Sequence, residues 1–395
     1  MTHQFRARWM GVIVTSILAL GCGGSPVVSG ASSTCSTAAT VFLASKLDDD
    51  DGDGNPRDED FPRIDDEDDD IADHAWIDDD TGLHHLFFQS EDRGSGTRIE
   101  HYVSTDLRSL TYVGPALFNN PDGWDSRGLW APHVIRHGDT YFMFYTGTDG
   151  VGNNPNTKQR LGLATSSDLV TWTRYRGNHC PGTTGDGCVY ECRESWTTWN
   201  TTGAYNQQCR DGFVIRDPAN DRWVLFATAR SLNASGVVTV AYSADLTHWT
   251  GAGYIEATRR LPNGVGAQAT GGQAENPFVI SRSGTYGLLF TDWRDPEDSC
   301  TVQNPRTLVQ YATSSSLVAD SSGSSNWTYR GPTPDPGVNA IEVQVVDGDW
   351  IMSQSISNKS SGDDLLHHRE LRLKRMLWGT DFRFTTEDWA PRPRR

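Results

Sequence analysis

The chain has 395 residues, 36% of them hydrophobic, and a formal net charge of −17. That length suits one large domain or two ordinary ones, and the one long apolar run stands at the N-terminus, which argues against a polytopic membrane protein. Residues 48–70 hold fourteen carboxylates against Arg57 and Arg63, so the remainder is nearly neutral and offers no basic surface for nucleic acid.

In chain order, Arg6 and Arg8 precede an apolar run from Trp9 to Leu20 that stops at Gly21-Cys22. A basic start, a short apolar core and small residues at the cut predict a secretory signal over residues 1–21. Ala19-Leu20-Gly21-Cys22 also resembles the bacterial lipobox, which makes Cys22 the candidate lipidation site. The expected location is therefore the bacterial cell envelope, with membrane contact through the anchor alone, or outside the cell if Cys22 is unmodified. Residues 22–70, first rich in Ser and Gly and then acidic, read as a solvated tether. Within it Asp49, Asp51, Asp53 and Asp60 fall at positions 1, 3, 5 and 12 of an EF-hand-like calcium loop, with Gly54 at position 6. Position 12 is Asp rather than the longer Glu, and no flanking helices are visible, so a plain acidic spacer is the preferred reading over calcium ligation. Cys35, Cys180, Cys188, Cys192, Cys209 and Cys300 form an even set suited to disulfides outside the cytosol. Four of them crowd into a predicted insertion at 178–211, expected to roof the channel entrance.

From residue 71 to 392 the chain repeats itself. Ser104-Thr105-Asp106-Leu107, Ser167-Asp168-Leu169, Ser243-Ala244-Asp245-Leu246, Ser316-Leu317 and Thr380-Asp381-Phe382 each lead to an aromatic residue: Tyr112, Trp172, Trp249, Trp327 and Trp389. Aromatic-rich strands are predicted before each tail at Leu83–Gln89, Thr140–Thr146, Arg222–Thr228, Thr285–Thr291 and Asp349–Gln354. A strand–turn–strand–loop–strand–turn–strand unit repeated five times predicts an all-β, five-bladed propeller of four-stranded antiparallel blades, which shields its strand edges radially. The first strands should begin near Asp73, Pro132, Asp217, Glu275 and Glu342 and line a central channel. Three of those starts carry an acid: Asp73, Asp217 and Glu275. Each alone could be a capping or turn residue. Three at equivalent positions suit acetal hydrolysis, which needs a proton donor on the leaving oxygen and a carboxylate on the other sugar face. A third acid would help hold the donor's proton. Trp76, Trp130 and Trp293 are candidates to stack on a sugar, although blade packing alone would explain tryptophans. Arg216 and His133 complete the candidate substrate-binding set.

Leu129-Trp130-Ala131-Pro132-His133-Val134-Ile135, followed by Tyr141-Phe142-Met143-Phe144-Tyr145, resembles the second-blade signature of family 43 glycosidases. The recurrent Ser-x-Asp-Leu…Trp tail is shared with families 62, 32 and 68. By position the resemblance implies Asp73 as general base, Asp217 as the pKa-tuning acid and Glu275 as general acid, with inversion, no cofactor for the chemistry and a monomeric enzyme. It points to arabinose-, xylose- or galactose-containing glycans. Arg216-Asp217-Pro218 resembles instead the stabiliser motif of the fructan-active families 32 and 68, which would make Asp73 a nucleophile and the enzyme retaining. The Trp-Met-Asn-Asp-Pro-Asn-type start of family 32 is absent around Asp73, and the residues after blade five leave no room for its C-terminal sandwich. Asn339 or Ala340 stands where family 43 often has a channel histidine. The other readings are a non-catalytic carbohydrate-binding propeller at the cell surface and a scaffold whose cysteine-rich insertion binds a protein.

Overall fold

The computed structural model describes residues 63–64, 71–90, 97–150, 157–201, 207–233, 236–256, 273–293, 307–319, 326–336, 338–358 and 368–389. The secretory signal, Cys22, Asp49, Asp51, Asp53, Asp60, Cys35 and Cys300 lie outside the described residues.

A two-residue strand β1 (Arg63–Ile64) precedes the blades. Blade one holds β2 (Ile71–Asp78), β3 (His84–Ser90), β4 (Arg98–Ser104) and β5 (Thr111–Phe118). Blade two holds β6 (Gly128–His137), β7 (Thr140–Thr148) and β8 (Gln159–Ser166), edged by β9 (Thr173–Arg174) and β10 (Cys188–Tyr190). Blade three is β11 (Arg210–Asp217), β12 (Arg222–Arg230), β13 (Gly236–Ser243) and β14 (Thr250–Glu256). Blade four is β15 (Gln273–Arg282), β16 (Thr285–Trp293), β17 (Thr307–Ser314) and β18 (Thr328–Pro336). Blade five is β19 (Val338–Val346), β20 (Asp349–Asn358), β21 (His368–Trp378) and β22 (Phe384–Asp388). All pairings are antiparallel, and the five inner strands β2, β6, β11, β15 and β19 touch their neighbours in a closed ring. The five-bladed propeller expected from the repeat is the observed fold.

Two outer strands are composite. In blade two, β9 pairs with Ala164 and Thr165 of β8, while β10 from the cysteine-rich insertion pairs with Leu161 and Gly162. In blade five, β22 covers the C-terminal part of β21, and Arg63 and Ile64 pair with Arg372 and Leu371. The acidic segment thus contributes one short strand to the propeller, where the sequence suggested only tether. The disulfides Cys180–Cys188 and Cys192–Cys209 staple the insertion; the first pair packs into the apolar cluster of blades one and two, the second into that of blades two and three.

The repeated tail has one physical design. Ser104, Ser166 and Ser243 each accept a hydrogen bond through Oγ from the backbone N–H of Asp106, Asp168 and Asp245. Each aspartate then accepts two further backbone N–H bonds at 2.7–2.9 Å. The turn so fixed places Leu107, Leu169 and Leu246 at φ of 62–68° with their side chains buried, and Phe382 takes the same φ in the corresponding turn of blade five. A non-glycine residue pays strain for that backbone, and apolar burial of a leucine is worth about 1.5–3 kcal/mol, enough to offset it. The tryptophan that follows meets a phenylalanine of the preceding blade edge-on: Trp172 on Phe87, Trp249 on Phe144 and Trp327 on Phe226, at 5.5–6.0 Å. These contacts join blade to blade. The ring closes on an apolar cluster that includes Ile71, Trp76, Leu86, Phe88, Ile351, Leu371 and Trp389.

Candidate active site

Every inner strand enters the channel through a β-bulge. The register slips between Ile71 and His74, Trp130 and His133, Arg210 and Phe213, Glu275 and Phe278, and Asn339 and Ile341. In four of the five bulges one residue takes a left-handed φ: Ala131, Asp211, Asn276 and Ala340, at 43–56°. A bulge puts two residues opposite one and re-aims its side chains. Here it turns mouth residues into the channel before the strand resumes its alternation. The channel mouth is a cavity of about 310 Å³ whose lining includes Asp73, His133, Asp211, Asn276 and Glu342. Among the described residues the insertion completes the outer edge of blade two and bonds to the mouth-side end of blade three, where the Thr198 N–H donates to the Arg230 carbonyl; none of its described residues before Asp211 lines this cavity.

Of the three predicted acids, two reach this mouth. Asp73 is half-buried in the blade-one bulge and lines the cavity. Glu275 sits at the edge of the blade-four bulge with its side chain 17% exposed. Asp217 does not. It closes β11 at the opposite end of the strand, where its Oδ2 accepts from Arg222 Nε at 3.1 Å and Asn220 Nδ2 at 2.8 Å. It is a buried turn anchor. The blade-three mouth carboxylate is Asp211, which sequence reasoning placed only at the margin of the insertion.

Asp211 is held by a dense set of donors. Its Oδ2 accepts from Thr228 Oγ1 at 2.8 Å and from the backbone N–H of Asn276 at 3.3 Å, and its own N–H donates to Thr146 Oγ1 at 2.9 Å. Arg210 joins the acids: its guanidinium donates to Glu275 Oε1, stands 3.3 Å from Asp211 Oδ2 and reaches Gln159 Oε1 at 3.2 Å. Burial, reinforced by the Glu275 charge, pushes the Asp211 carboxyl up to about 6, against the pull of Arg210 and Thr228. Burial opposes the charge on Arg210, but Glu275, Asp211 and Asp73 outweigh it and the guanidinium is held above its usual range. One buried cation therefore faces three carboxylates from three blades.

The other predicted contacts divide. His133 lines the cavity, is buried, donates from Nε2 to the Val214 carbonyl at 3.1 Å, and packs on Phe213 at 4.4 Å; burial lowers its pKa to about 4. Trp130 is half-buried beside its bulge, with its indole against Gly128, and remains a rim aromatic. Trp76 is 8% exposed within the cluster between blades five and one, so it is core rather than a sugar platform. Arg216 lies away from the mouth near the end of β11, paired with Asp221 and stacked over Trp223 at 5.2 Å, and Arg210 takes the place sequence reasoning gave it. Trp293 is the last residue of β16, paired by its backbone with Gln273 at the mouth end. One layer below the acids, His74, His133, Phe213, Phe278 and Glu342 occupy matching positions on the five strands. His74 Nε2 lies 2.7 Å from Ser353 Oγ, and burial holds the Glu342 carboxyl well above the usual carboxylate range. Among the described residues no group of three or more His, Cys, Asp or Glu side chains is arranged to hold a metal ion.

Comparison with known proteins gives three kinds of likeness. The model of glycosyl hydrolases family 43 matches residues 69–383. A probable sucrose-6-phosphate hydrolase of Psychromonas ingrahamii is 28% identical over 173 residues, 43% of this chain and 28% of the relative. The match to a 1,2-beta-oligomannan phosphorylase of a Thermoanaerobacter species takes in 33% of that relative, so the chain spans no more than about a third of the curated relatives it matches. Among solved structures, a thermostable family-43 glycoside hydrolase superposes with TM-score 0.58 at 15% identity, over 82% of this chain and 95% of the other. An exo-1,5-alpha-L-arabinanase from a bovine ruminal metagenomic library superposes with TM-score 0.54 at 17% identity, over 83% and 98%.

Proposed function

Because the chain belongs to glycosyl hydrolases family 43, we propose that it hydrolyses glycosidic bonds at the propeller mouth, without a cofactor, by inversion. The observation that carries this reading is the meeting of Asp73, Asp211 and Glu275 around Arg210, from the inner strands of blades one, three and four. Asp73 acts as general base: it takes a proton from a water that attacks the anomeric carbon. Glu275, on the other side of the sugar, gives its proton to the departing glycosidic oxygen. Asp211 replaces Asp217 as the acid that tunes the donor. Its carboxyl, pushed up to about 6, is protonated in mildly acidic solution and mostly ionised at neutral pH, and its charge there disfavours a second charge on a nearby donor. Arg210 pairs with Glu275 in the empty site, and a bound sugar draws the guanidinium away before Glu275 donates.

Trp130 is the sugar-stacking candidate, and His133 supports the channel wall beneath the acids. The substrates that the superposed arabinanase and the family favour are arabinose-, xylose- or galactose-containing glycans. Export, lipidation at Cys22, membrane contact through that anchor alone and a monomeric state stand as parts of the same proposal, with the acidic segment as a plain spacer. A panel of chromogenic glycosides and polysaccharides tests the activity, and proton NMR of the first-formed anomer tests the stereochemistry. Retention of configuration would make Asp73 a nucleophile and return the fructan-type alternative. Sugar binding without turnover on any member of the panel would favour a non-catalytic binding propeller.

A further inference from the structure

The chain is acidic, and its described arginines are mostly neutralised by a carboxylate. Arg98, Arg136, Arg160, Arg174, Arg193, Arg210, Arg216, Arg222, Arg372 and Arg375 all sit in such ion pairs. Among the described arginines without an ion pair, Arg282, Arg330 and Arg383 gather at one place. Arg282 ends β15, Arg330 lies near the start of β18, and Arg383 follows the turn after β21. Glu275 and Arg282 are seven residues apart on β15, about 23 Å at strand rise, so this cluster is on the face opposite the mouth.

A cleft of about 700 Å³ opens there between blades four and five, and Arg282, Arg330, Ser283 and Asp381 stand on its walls with Phe382 at its base. Two of the guanidinium groups are held in position. Arg282 lies over the Trp378 ring at 4.7 Å, and Arg330 Nε donates to Thr313 Oγ1 at 2.8 Å. Both contacts leave terminal N–H groups for a ligand. Arg383 is close enough, with Arg330, to pull the Tyr311 phenol back down against the burial that raises it. Asp381 lines the same cleft and forms no ion pair with these arginines. Two guanidinium groups against the one carboxylate that lines the cleft leave an excess of positive charge, which costs energy in a fold, and planar guanidinium forks match the oxygens of a phosphate group.

We propose that this cleft binds a phosphate group, either free or as the headgroup of a phospholipid, on the face opposite the catalytic mouth. The proposal does not depend on the assignment of the catalytic carboxylates.

Titration of the full chain with inorganic phosphate by calorimetry tests the free ligand. Co-sedimentation with phosphatidylglycerol-containing vesicles, against vesicles of phosphatidylcholine alone, tests the headgroup, and the difference between the two cancels any contribution of a lipid anchor. Saturable binding in at least one arm is expected, weakened tenfold or more by Arg282→Gln combined with Arg330→Gln and largely kept by the paired lysine substitutions. Failure of the wild-type chain to bind in both arms overturns the proposal, whether or not the variants fold. Equal binding by wild type and the folded double glutamine variant overturns it as well.

Discussion

Asp211→Asn separates stability from catalysis and can be worked through quantitatively. The carboxyl is pushed up from 3.8 to about 6 by burial. Such a group binds its proton more tightly folded than unfolded, so its contribution is neutral below pH 3.8 and increasingly destabilising as pH rises to 6. A shift of about two units at roughly 1.36 kcal/mol each gives a ceiling of about 3 kcal/mol at pH 7 and above. Asparagine imitates the protonated state: its amide oxygen still accepts from Thr228 and from the Asn276 N–H. The variant should therefore gain nothing near pH 4 and up to about 3 kcal/mol near pH 7.5. In a domain of this size that is about 6 °C in melting temperature. Turnover should fall by at least about 100-fold, because the donor loses the neighbour that holds its proton. Calorimetric unfolding at pH 4, 5.5 and 7.5 together with steady-state kinetics reads both effects. A variant less stable at pH 7.5 than the wild type, or one with full activity, would refute the reasoning.

Asp73→Asn and Glu275→Gln should each lose at least about 100-fold in turnover with folding retained, checked by kinetics beside circular dichroism; wild-type rates in either remove it from the mechanism. Arg210→Gln should push the Asp211 carboxyl further up by removing the cation that pulls it down, moving the limb of the pH–rate profile that this acid sets upward, and an unmoved limb would mean the guanidinium does not govern it. Cys192→Ser with Cys209→Ser should cost about 3 kcal/mol, since that bond spans seventeen residues, measured as a lower denaturant midpoint. Burial and the neighbouring His85 lower His101 to about 3. That stability is present above pH 6.5 and lost as pH falls toward 3. His101→Gln should therefore flatten the acid limb of stability between those values, and an unchanged slope in urea titrations would show that another group controls it.

The fold was legible because its signals are local and recur. A Ser-x-Asp-Leu turn carries its own hydrogen bonds, and the aromatic strand before it alternates in the same way in every blade. The blade-three acid was misplaced for a local reason too. Asp217 stands only five residues before Arg222, which leaves no room for a whole inner strand and a turn. Asp211 stands eleven before it, as Asp73 does before His84. The apolar run Phe213-Val214-Ile215 following Asp211 also parallels Phe278-Val279-Ile280 following Glu275. The spacing to the second strand marks Asp211 as the mouth residue, whereas Arg216-Asp217-Pro218 forms the turn at the strand's far end. The role of Arg210 and the burial of Trp76 were not legible, because both depend on contacts between strands of different blades, which no single repeat records. The bulges leave only a faint trace in sequence, such as Ala131-Pro132 and Asn276-Pro277.

Those five bulges also bear on how such a molecule can change over evolutionary time. Below each bulge, alternation is tied to the packing of neighbouring blades, and a substitution there disturbs a seam. Above it the frame has been reset, and a residue answers only to whatever occupies the mouth. Acid, amide, alanine and proline stand at matching mouth positions in different blades while the strands beneath keep their apolar pattern. The scaffold can thus exchange one reactive group for another, or retire one, without being refolded around the change.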